Sequence, residues 1–162
     1  MNKIEHVFFD LDHTLWDFEQ NAHDTLQELF IIFKLKEILN TSVDIFIENF
    51  MKVNYALWKK YDTKEISKEE LRRIRCILVL ANFNVKNDVL AEKIETNYLA
   101  MCPQKNSLFP FAIEILEYLQ EKYILHILTN GFELTQLKKI KASNLSSFFE
   151  HIITSECSNY CK

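Results

Sequence analysis

The sequence predicts an α/β protein in which a parallel β-sheet core is interrupted by an all-helical insert. Three short apolar segments, at residues 4–11, 124–128 and 151–154, have the β-branched and aromatic composition of buried strands. About ninety residues with helical periodicity separate the first strand from the second, and a shorter amphipathic helix precedes the third. Strands that alternate with helices form parallel sheets, so we expect a Rossmann-like α/β core.

The first strand ends at a pair of acidic residues. Residues 4–11 read IEHVFFDL, whose continuous apolar centre suits a strand that is buried on both faces, and Asp12 terminates it. A polar and aromatic turn follows at residues 13–18, where His13 is expected to be a turn residue. We place the first part of the core at residues 1–15.

The helical insert is predicted to cover residues 16–106. Residues 41–44 offer an N-cap before a helix over residues 43–61, and Ser67 with Glu70 forms a capping-box pattern before the next helix. A further helix is predicted over residues 87–101. No glycine interrupts the insert, which favours a compact helical domain.

The second part of the core is predicted to cover residues 107–162. Pro110 occupies a predicted first helical position, and the strand at residues 124–128 ends at Thr129. The next helix carries an apolar stripe, and Asn144 is its predicted left-handed C-cap; the stripe comprises Leu134, Leu137 and Ile140. Right-handed crossovers would bring the strand ends at Asp12, Thr129 and Ser155 to one edge of the sheet, where ligands bind in open α/β folds.

The composition excludes several kinds of site. The 162 residues include a single glycine, Gly131. A dinucleotide-binding fingerprint, a Walker-type phosphate loop and a G-x-S-x-G nucleophile elbow each need at least two glycines. None of these three motifs occurs in the sequence.

Charge and hydropathy predict the location and the partners. The net charge is −4 and the basic residues are spread along the chain, so the sequence offers no electrostatic surface for nucleic acid or an anionic membrane. No apolar run approaches the roughly 18 residues that a membrane span needs. We expect a cytoplasmic protein that binds neither nucleic acid nor membrane.

The four cysteines include no C-x-x-C pair, so they are expected to be reduced thiols that pack in the interior. Cys157 and Cys161 with His151 are a conceivable zinc site. Their spacing matches no known ligand pattern, which disfavours that interpretation.

Asp10 and Asp12 are the main candidates for chemistry. They lie two residues apart at the close of an apolar strand, so a locally extended backbone would aim both side chains to the same side. Two carboxylates in a poorly solvated crevice are costly unless a cation compensates them. Such a pair suits one metal-bound nucleophile and one proton donor.

Three stretches occur in the order of the signatures of one enzyme superfamily. FFDLDHTLW at residues 8–16 resembles the first signature of the haloacid dehalogenase-like phosphohydrolases, D-x-D-x-[TV] after an apolar strand. ILTNGF at residues 127–132 resembles the second signature, and TSECSNYCK at residues 154–162 resembles the segment that ends in the third-signature lysine. The helical insert stands where these enzymes carry a cap domain. DLDHTLW and TNGF look most like the pyrimidine 5′-nucleotidase branch.

This resemblance implies roles for the motif residues. Asp10 would attack phosphorus to form an aspartyl-phosphate, and Asp12 would act as the acid and then as the base. Thr129 and the backbone N–H of Asn130 would hold phosphoryl oxygens, Gly131 would let the backbone turn, and Lys162 would neutralise the transferring group; Asp10 and Asp12 would also bind Mg²⁺. The second aspartate favours phosphate ester hydrolysis over dehalogenation.

One signature of the superfamily does not occur among the 162 residues. This fourth signature is an acidic pair that supplies further carboxylates for Mg²⁺, which prefers about six oxygen ligands. We therefore expect a C-terminally truncated fragment with little turnover, or a degenerate short gene. Without the later strands, the edge of the first strand would be apolar and unpaired, so self-association is expected.

Other residues near the motifs have a structural and a functional interpretation. Trp16, Asp17 and Phe18 lead toward the insert, where hinge packing is favoured over stacking on a substrate base. Solvated helix charges are favoured over substrate contacts for Arg72 and Arg75. Three lysines of the helix after Thr129 are expected to face water, and Glu156 is assigned no metal role; the lysines are Lys138, Lys139 and Lys141.

The leading hypothesis is a magnesium-dependent phosphatase that acts on a nucleoside monophosphate or a similar small phosphorylated metabolite. A phosphosugar mutase would use the same pair of aspartates. A catalytically inactive interaction module would keep the fold and lack the fourth signature.

Overall fold

The computed structural model describes residues 4–154 and residue 156. Its strands and α-helices, in chain order, are β1 (His6–Phe9), α1 (Phe18–Ile32), α2 (Leu35–Leu39), α3 (Val43–Asp62), α4 (Lys68–Ala81), α5 (Asp88–Met101), α6 (Ala112–Gln120), β2 (Ile124–Thr129), α7 (Glu133–Ala142) and β3 (His151–Thr154). Short 3-10 helices occur at Cys102–Gln104 and Ser146–Phe148. Within this part of the chain, no helix is both long and apolar enough to cross a membrane.

The strands form a parallel sheet in the order β1-β2-β3. Phe9 of β1 pairs with Ile127 of β2, and Thr129 at the end of β2 pairs with Thr154 at the end of β3. Since the strands are parallel, their carboxyl ends lie at one edge of the sheet. This architecture confirms the predicted α/β class.

The first strand is shorter than predicted. It ends at Phe9, a bend follows at Leu11, and His13 has φ of 62°, in the left-handed region. Asp10 follows the strand directly and Asp12 makes an isolated β-bridge to Trp16 in the loop that follows, so the common direction expected of the two side chains stays a prediction. His13 is the turn residue that the pattern indicated.

β1 lies at one edge of the sheet in the described residues, and Phe8 on it is 54% exposed. This is the apolar edge that the sequence led us to expect. Self-association through it stays a prediction.

The described chain divides into two compact units. The first, the core, comprises the described residues up to Ala22 and from Cys102 onward, and the second, the cap, is His23–Met101. From the sequence, we placed the boundaries between core and cap after residue 15 and after residue 106. In the cap, Ser42 and Ser67 are the N-caps of α3 and α4, and each side chain accepts a backbone N–H three residues ahead.

Two details of the core helices correct the prediction. Pro110 was expected at the first position of α6, but Phe111 has φ of 67° and the helix begins only at Ala112. The left-handed residue separates the proline from the helix. On α7, Leu134 and Leu137 of the predicted apolar stripe are 70% and 41% exposed, so a different face of this helix is buried.

Candidate functional site

Asp10 follows β1 directly at the carboxyl edge of the sheet. Its side chain is half-buried, and its Oδ1 accepts a hydrogen bond from the backbone N–H of Leu11 at 2.8 Å. The bond fixes the carboxylate against its own loop. The sequence predicted this residue as nucleophile and metal ligand, and its position at the strand end suits both roles.

Asp12 lies in a polar cluster in which both carboxylate oxygens accept hydrogen bonds. Lys139 Nζ donates to Oδ1 at 2.6 Å, and Gln136 Nε2 donates to Oδ2 at 2.8 Å. The side chain of Asp12 is 24% exposed, whereas that of Lys139 is 7% exposed. The carboxylate is therefore held firmly from the α7 side and still reaches the surface.

Thr129 ends β2 and is buried. Its Oγ1 accepts hydrogen bonds from Gln136 Nε2 at 2.8 Å and from the backbone N–H of Gly131 at 3.1 Å. A hydroxyl has two acceptor lone pairs and one donor. Both acceptor positions are used here, so the hydroxyl proton is the group that Thr129 can offer to a phosphoryl oxygen.

Gln136 joins the two sequence motifs of the core. The same amide nitrogen, Nε2, donates to Asp12 and to Thr129, which are 117 residues apart in the chain. The structure thus brings the first and second motifs together through a side chain that the sequence analysis did not single out.

Gly131 has a role that the sequence did not predict. Its φ is not positive, and its part in the turn after β2 stays a prediction. A Cβ at this position would lie 1.8 Å from Gln136 Nε2. The missing side chain makes room for the Gln136 amide. Asn130 lies in the loop between β2 and α7, and its phosphoryl contact stays a prediction.

Lys139 is buried, and the prediction that it faces water is wrong. Its Nζ lies 4.3 Å from the centre of the Trp16 ring and 5.7 Å from that of Phe18. The Trp16 ring is completely buried and donates from Nε1 to the carbonyl oxygen of Lys105. Because no face of this ring is open, Trp16 packs in the interior and does not stack on a substrate. Lys138 and Lys141 are exposed, as predicted.

Asn21 forms hydrogen bonds that join the chain segments at Asp17 and Ser107. Its Nδ2 donates to the carbonyl oxygens of Asp17 and Ser107, and its Oδ1 accepts from the backbone N–H of Ser107. Asp17 N–H in turn donates to Ser107. A fully buried asparagine thereby satisfies backbone groups on both segments.

Glu156 contacts the start of α7. Its Oε2 accepts a hydrogen bond from the backbone N–H of Glu133 at 2.7 Å. A carboxylate at this end of a helix is favoured by the exposed N–H groups. This contact gives Glu156 a capping role, and the absence of a metal role stays a prediction.

Oxygen donors dominate the candidate metal site. Asp10 and Asp12 supply carboxylate and backbone oxygens, which suit a hard cation such as Mg²⁺. No group of three or more metal-ligating side chains occurs among the residues that the structure describes. Lys162, Ser155 and the zinc candidates Cys157 and Cys161 lie outside the described residues, and His151 stacks on His126.

The cap arginine predicted to be solvated is buried. Arg75 is 4% exposed, donates twice to Glu95 at 2.6 and 3.1 Å, and donates to Asn54 at 2.8 Å. Burial acts to lower the pKa of Arg75, but the charge of Glu95, the hydrogen bond to it and the neighbouring Tyr98 and Cys76 together outweigh burial, and the pKa lies above its ordinary value. The prediction of a solvated charge is therefore wrong for Arg75. Arg72 is half-buried on the same helix.

The burial of three polar residues was not predicted from the sequence, and the reason is the same for all three. Gln136, Lys139 and Asn21 are polar residues on helices, and apolar periodicity assigns polar residues to solvent. The spacing of Gln136 and Lys139, three residues apart and just after the TNGF motif, was the available signal.

Comparison with known proteins agrees with this geometry. The model of the haloacid dehalogenase-like hydrolase family matches residues 4–162. The pyrimidine 5′-nucleotidase PynA of Streptococcus pneumoniae is 32% identical over 153 residues, and the match covers 93% of this chain and 61% of that protein. The pyrimidine 5′-nucleotidase YjjG of Escherichia coli is 25% identical, with 95% and 64% covered. The chain thus spans a little over three fifths of the length of these relatives.

Solved structures show the same fold. A magnesium-bound crystal structure of the HAD-hydrolase YfnB of Bacillus subtilis superposes with a TM-score of 0.84 at 24% identity, covering 98% of this chain and 68% of that one. The L-2-haloacid dehalogenase of Xanthobacter autotrophicus superposes with a TM-score of 0.68 at 15% identity, covering 99% and 60%. By its sequence motifs, its fold and the family match over residues 4–162, the chain belongs to the haloacid dehalogenase-like hydrolase family.

Proposed function

We propose that this protein is a magnesium-dependent phosphomonoester hydrolase that acts through an aspartyl-phosphate. The observation that carries the proposal is the Gln136 bridge between Asp12 and Thr129. It holds an acid-base candidate and a phosphoryl-binding hydroxyl in one cluster, beside the strand end that carries Asp10. A hydrolase of phosphate esters needs these three groups at one place.

The reaction proceeds in two displacements. A carboxylate oxygen of Asp10 attacks phosphorus, the bond from phosphorus to the ester oxygen breaks, and Asp12 gives a proton to the leaving alcohol. Asp12 then takes a proton from water, whose oxygen displaces the Asp10 carboxylate and releases inorganic phosphate. Thr129 O–H and Asn130 N–H hold phosphoryl oxygens, and the assignment of Lys162 to charge neutralisation is carried over from the motif.

Mg²⁺ is the proposed cofactor because the donors at this edge of the sheet are oxygens. Asp10 and Asp12 would hold it, and when bound it supplies positive charge against the phosphoryl oxygens. These two residues give fewer ligands than Mg²⁺ prefers. We therefore propose that further carboxylates outside the 162 residues complete the set, and that the 162-residue form by itself turns over little.

The proposed substrate is a nucleoside monophosphate or a similar small phosphorylated metabolite. The support is the similarity to two proteins named pyrimidine 5′-nucleotidases, together with the DLDHTLW and TNGF motifs. We propose no nucleic acid or membrane partner. The proposed location is the cytoplasm, in keeping with the buried thiols of Cys76 and Cys102.

The test is Asp10→Asn in the longest polypeptide that the gene encodes, assayed with Mg²⁺ for phosphate release from pyrimidine and purine nucleoside monophosphates. Turnover is expected to fall by at least a thousandfold, because the nucleophile is lost. Asp44→Asn is the matched control, since it removes the same charge from an exposed position in the first turn of α3; it is expected to keep wild-type turnover.

Asp10→Asn with wild-type turnover would reject the nucleophile. Absence of turnover in the longest form, with any of these substrates and Mg²⁺, would favour the inactive module instead. Analysis of the products separates a phosphatase from a mutase, because a mutase returns an isomer and a phosphatase releases inorganic phosphate.

A further inference from the structure

Helix α7 directs two polar side chains into the site. Gln136 is completely buried and Lys139 is 5% exposed, although Leu134 and Leu137 on the same helix lie largely in solvent. Burying an amide and an ammonium group is costly unless each has partners of good geometry. The contacts of Gln136 and Lys139, which we call the α7 brace, therefore decide which face of α7 is turned inward.

Lys139 is held between a carboxylate and aromatic rings. Nζ donates to Asp12 Oδ1 at 2.6 Å and lies over the Trp16 ring at 4.3 Å from its centre. A cation over an indole face is stabilised by the ring quadrupole. Since the Trp16 ring is itself buried, the ammonium group has little freedom to leave Asp12.

The Gln136 amide is oriented by its two acceptors. A carboxylate can only accept, so the amide nitrogen faces Asp12 and also reaches Thr129. The amide oxygen, Oε1, is buried without a hydrogen-bond partner in the described residues. This orientation leaves a buried acceptor unsatisfied, which costs free energy. The contacts with Asp12 and Thr129 must outweigh that cost.

We propose that the α7 brace is a positioning device for the reaction. Lys139 and Gln136 fix the two oxygens of the Asp12 carboxylate, and Gln136 together with Gly131 N–H leaves the Thr129 hydroxyl proton as the donor to the phosphoryl group. Neither brace residue reacts with substrate. The inference rests on the proposed phosphatase function and adds two residues to its machinery.

The test compares two substrates of the longest form of the protein. A nucleoside monophosphate has a poor leaving group that needs the proton of Asp12, whereas p-nitrophenyl phosphate has a good leaving group that does not. Lys139→Met should lower kcat/KM for the nucleoside monophosphate by about tenfold, a part of the 10²–10⁴ typical of acid-base catalysis. The value for p-nitrophenyl phosphate should change less than about twofold.

Three further variants complete the test. Asp12→Asn should give the largest change in the ratio of the two kcat/KM values. Lys139→Arg keeps a cation, so its ratio should lie closer to that of the wild type than the ratio of Lys139→Met does. Lys138→Met, on the exposed face of α7, should leave the ratio unchanged. If Lys139→Met lowers kcat/KM equally for both substrates, or lowers it for neither, the positioning role is overturned. If the wild-type protein hydrolyses neither substrate, the proposed function fails, and the inference fails with it.

Discussion

The two units each contain a buried ion pair, and the pairs differ in how completely they are enclosed. In the cap, Arg75 has three hydrogen bonds to Glu95 and Asn54, and its guanidinium lies 4.8 Å from the centre of the Tyr98 ring. The side chains of Arg75 and Glu95 are 4% and 10% exposed. In the core, Lys139 is as deeply buried, but its partner Asp12 is 24% exposed.

This difference separates a structural pair from a pair that is available for chemistry. Every charged group of the cap pair faces protein, so nothing is left to act on a ligand. In the core pair, the cation is enclosed and the carboxylate reaches the surface at the edge of the sheet where ligands bind in this fold class. The accessible carboxylate makes the core pair, and not the cap pair, a candidate for function.

The largest expected effect is on the cap pair. Arg75→Met leaves the Glu95 carboxylate buried without its cation, which should lower the free energy of unfolding by about 3–5 kcal/mol. Urea unfolding followed by circular dichroism measures this loss. Arg73→Met is the control, because Arg73 pairs with Glu70 at the surface with 66% of its side chain exposed; its loss should stay under about 1 kcal/mol.

The same measurement on Lys139→Met sharpens the comparison. Asp12 is partly solvated and keeps its bond to Gln136, so this variant should lose less stability than Arg75→Met. Equal losses in the two variants would show that both pairs are structural and would remove the distinction between them.

The next effect concerns the space beside Gly131. Gly131→Ala places a Cβ against the Gln136 amide, so the amide must leave Asp12 and Thr129. Overpacking of this kind should lower the free energy of unfolding by about 1–3 kcal/mol. Turnover of a nucleoside monophosphate should fall with it, because the α7 brace is displaced.

A double variant tests the cause. Gln136→Ala removes the group that collides with the new Cβ, so Gly131→Ala/Gln136→Ala should be no less stable than Gln136→Ala alone. The control is Ala142→Gly, which changes a backbone position at the end of the same helix without touching Gln136. Strictly additive losses in the double variant would mean that Gly131 is needed for another reason.

Much of the fold could be predicted, because its signals are local. β3 has the bounds that the sequence predicted, and β2 extends one residue further, to Thr129. Ser67 caps α4 because a serine before an apolar run satisfies the first free N–H groups of a helix. Asn144 has φ of 56°, the left-handed conformation that asparagine tolerates after a helix.

The candidate site could be predicted only at the motifs. Asp10, Asp12 and Thr129 stand at strand ends, and the sequence pattern finds strand ends well. Gln136 and Lys139 were missed because their burial depends on Asp12, more than 120 residues earlier in the chain. Helical periodicity predicted that Leu134 and Leu137 would be buried, and a long-range ion pair overrides that preference.

The smallest expected effect is a pH dependence that arises in the core. His126 on β2 is 3% exposed, its Nε2 is hydrogen-bonded to His6 Nδ1 at 2.9 Å, and its ring stacks on His151. Burial lowers the pKa of His126, and the neighbouring His6 and His151 lower the pKa further. At pH values just below the ordinary pKa of histidine, the unfolded chain therefore binds more protons than the folded protein.

It follows that stability should fall as the pH drops from 7.5 through 6.5 toward 5.5, since protons then favour the unfolded state. Urea unfolding at these pH values should show this fall in the wild-type protein and a weaker one in His126→Gln, which cannot take up the proton. If His126→Gln and the wild type fall equally, the acid sensitivity belongs to another group.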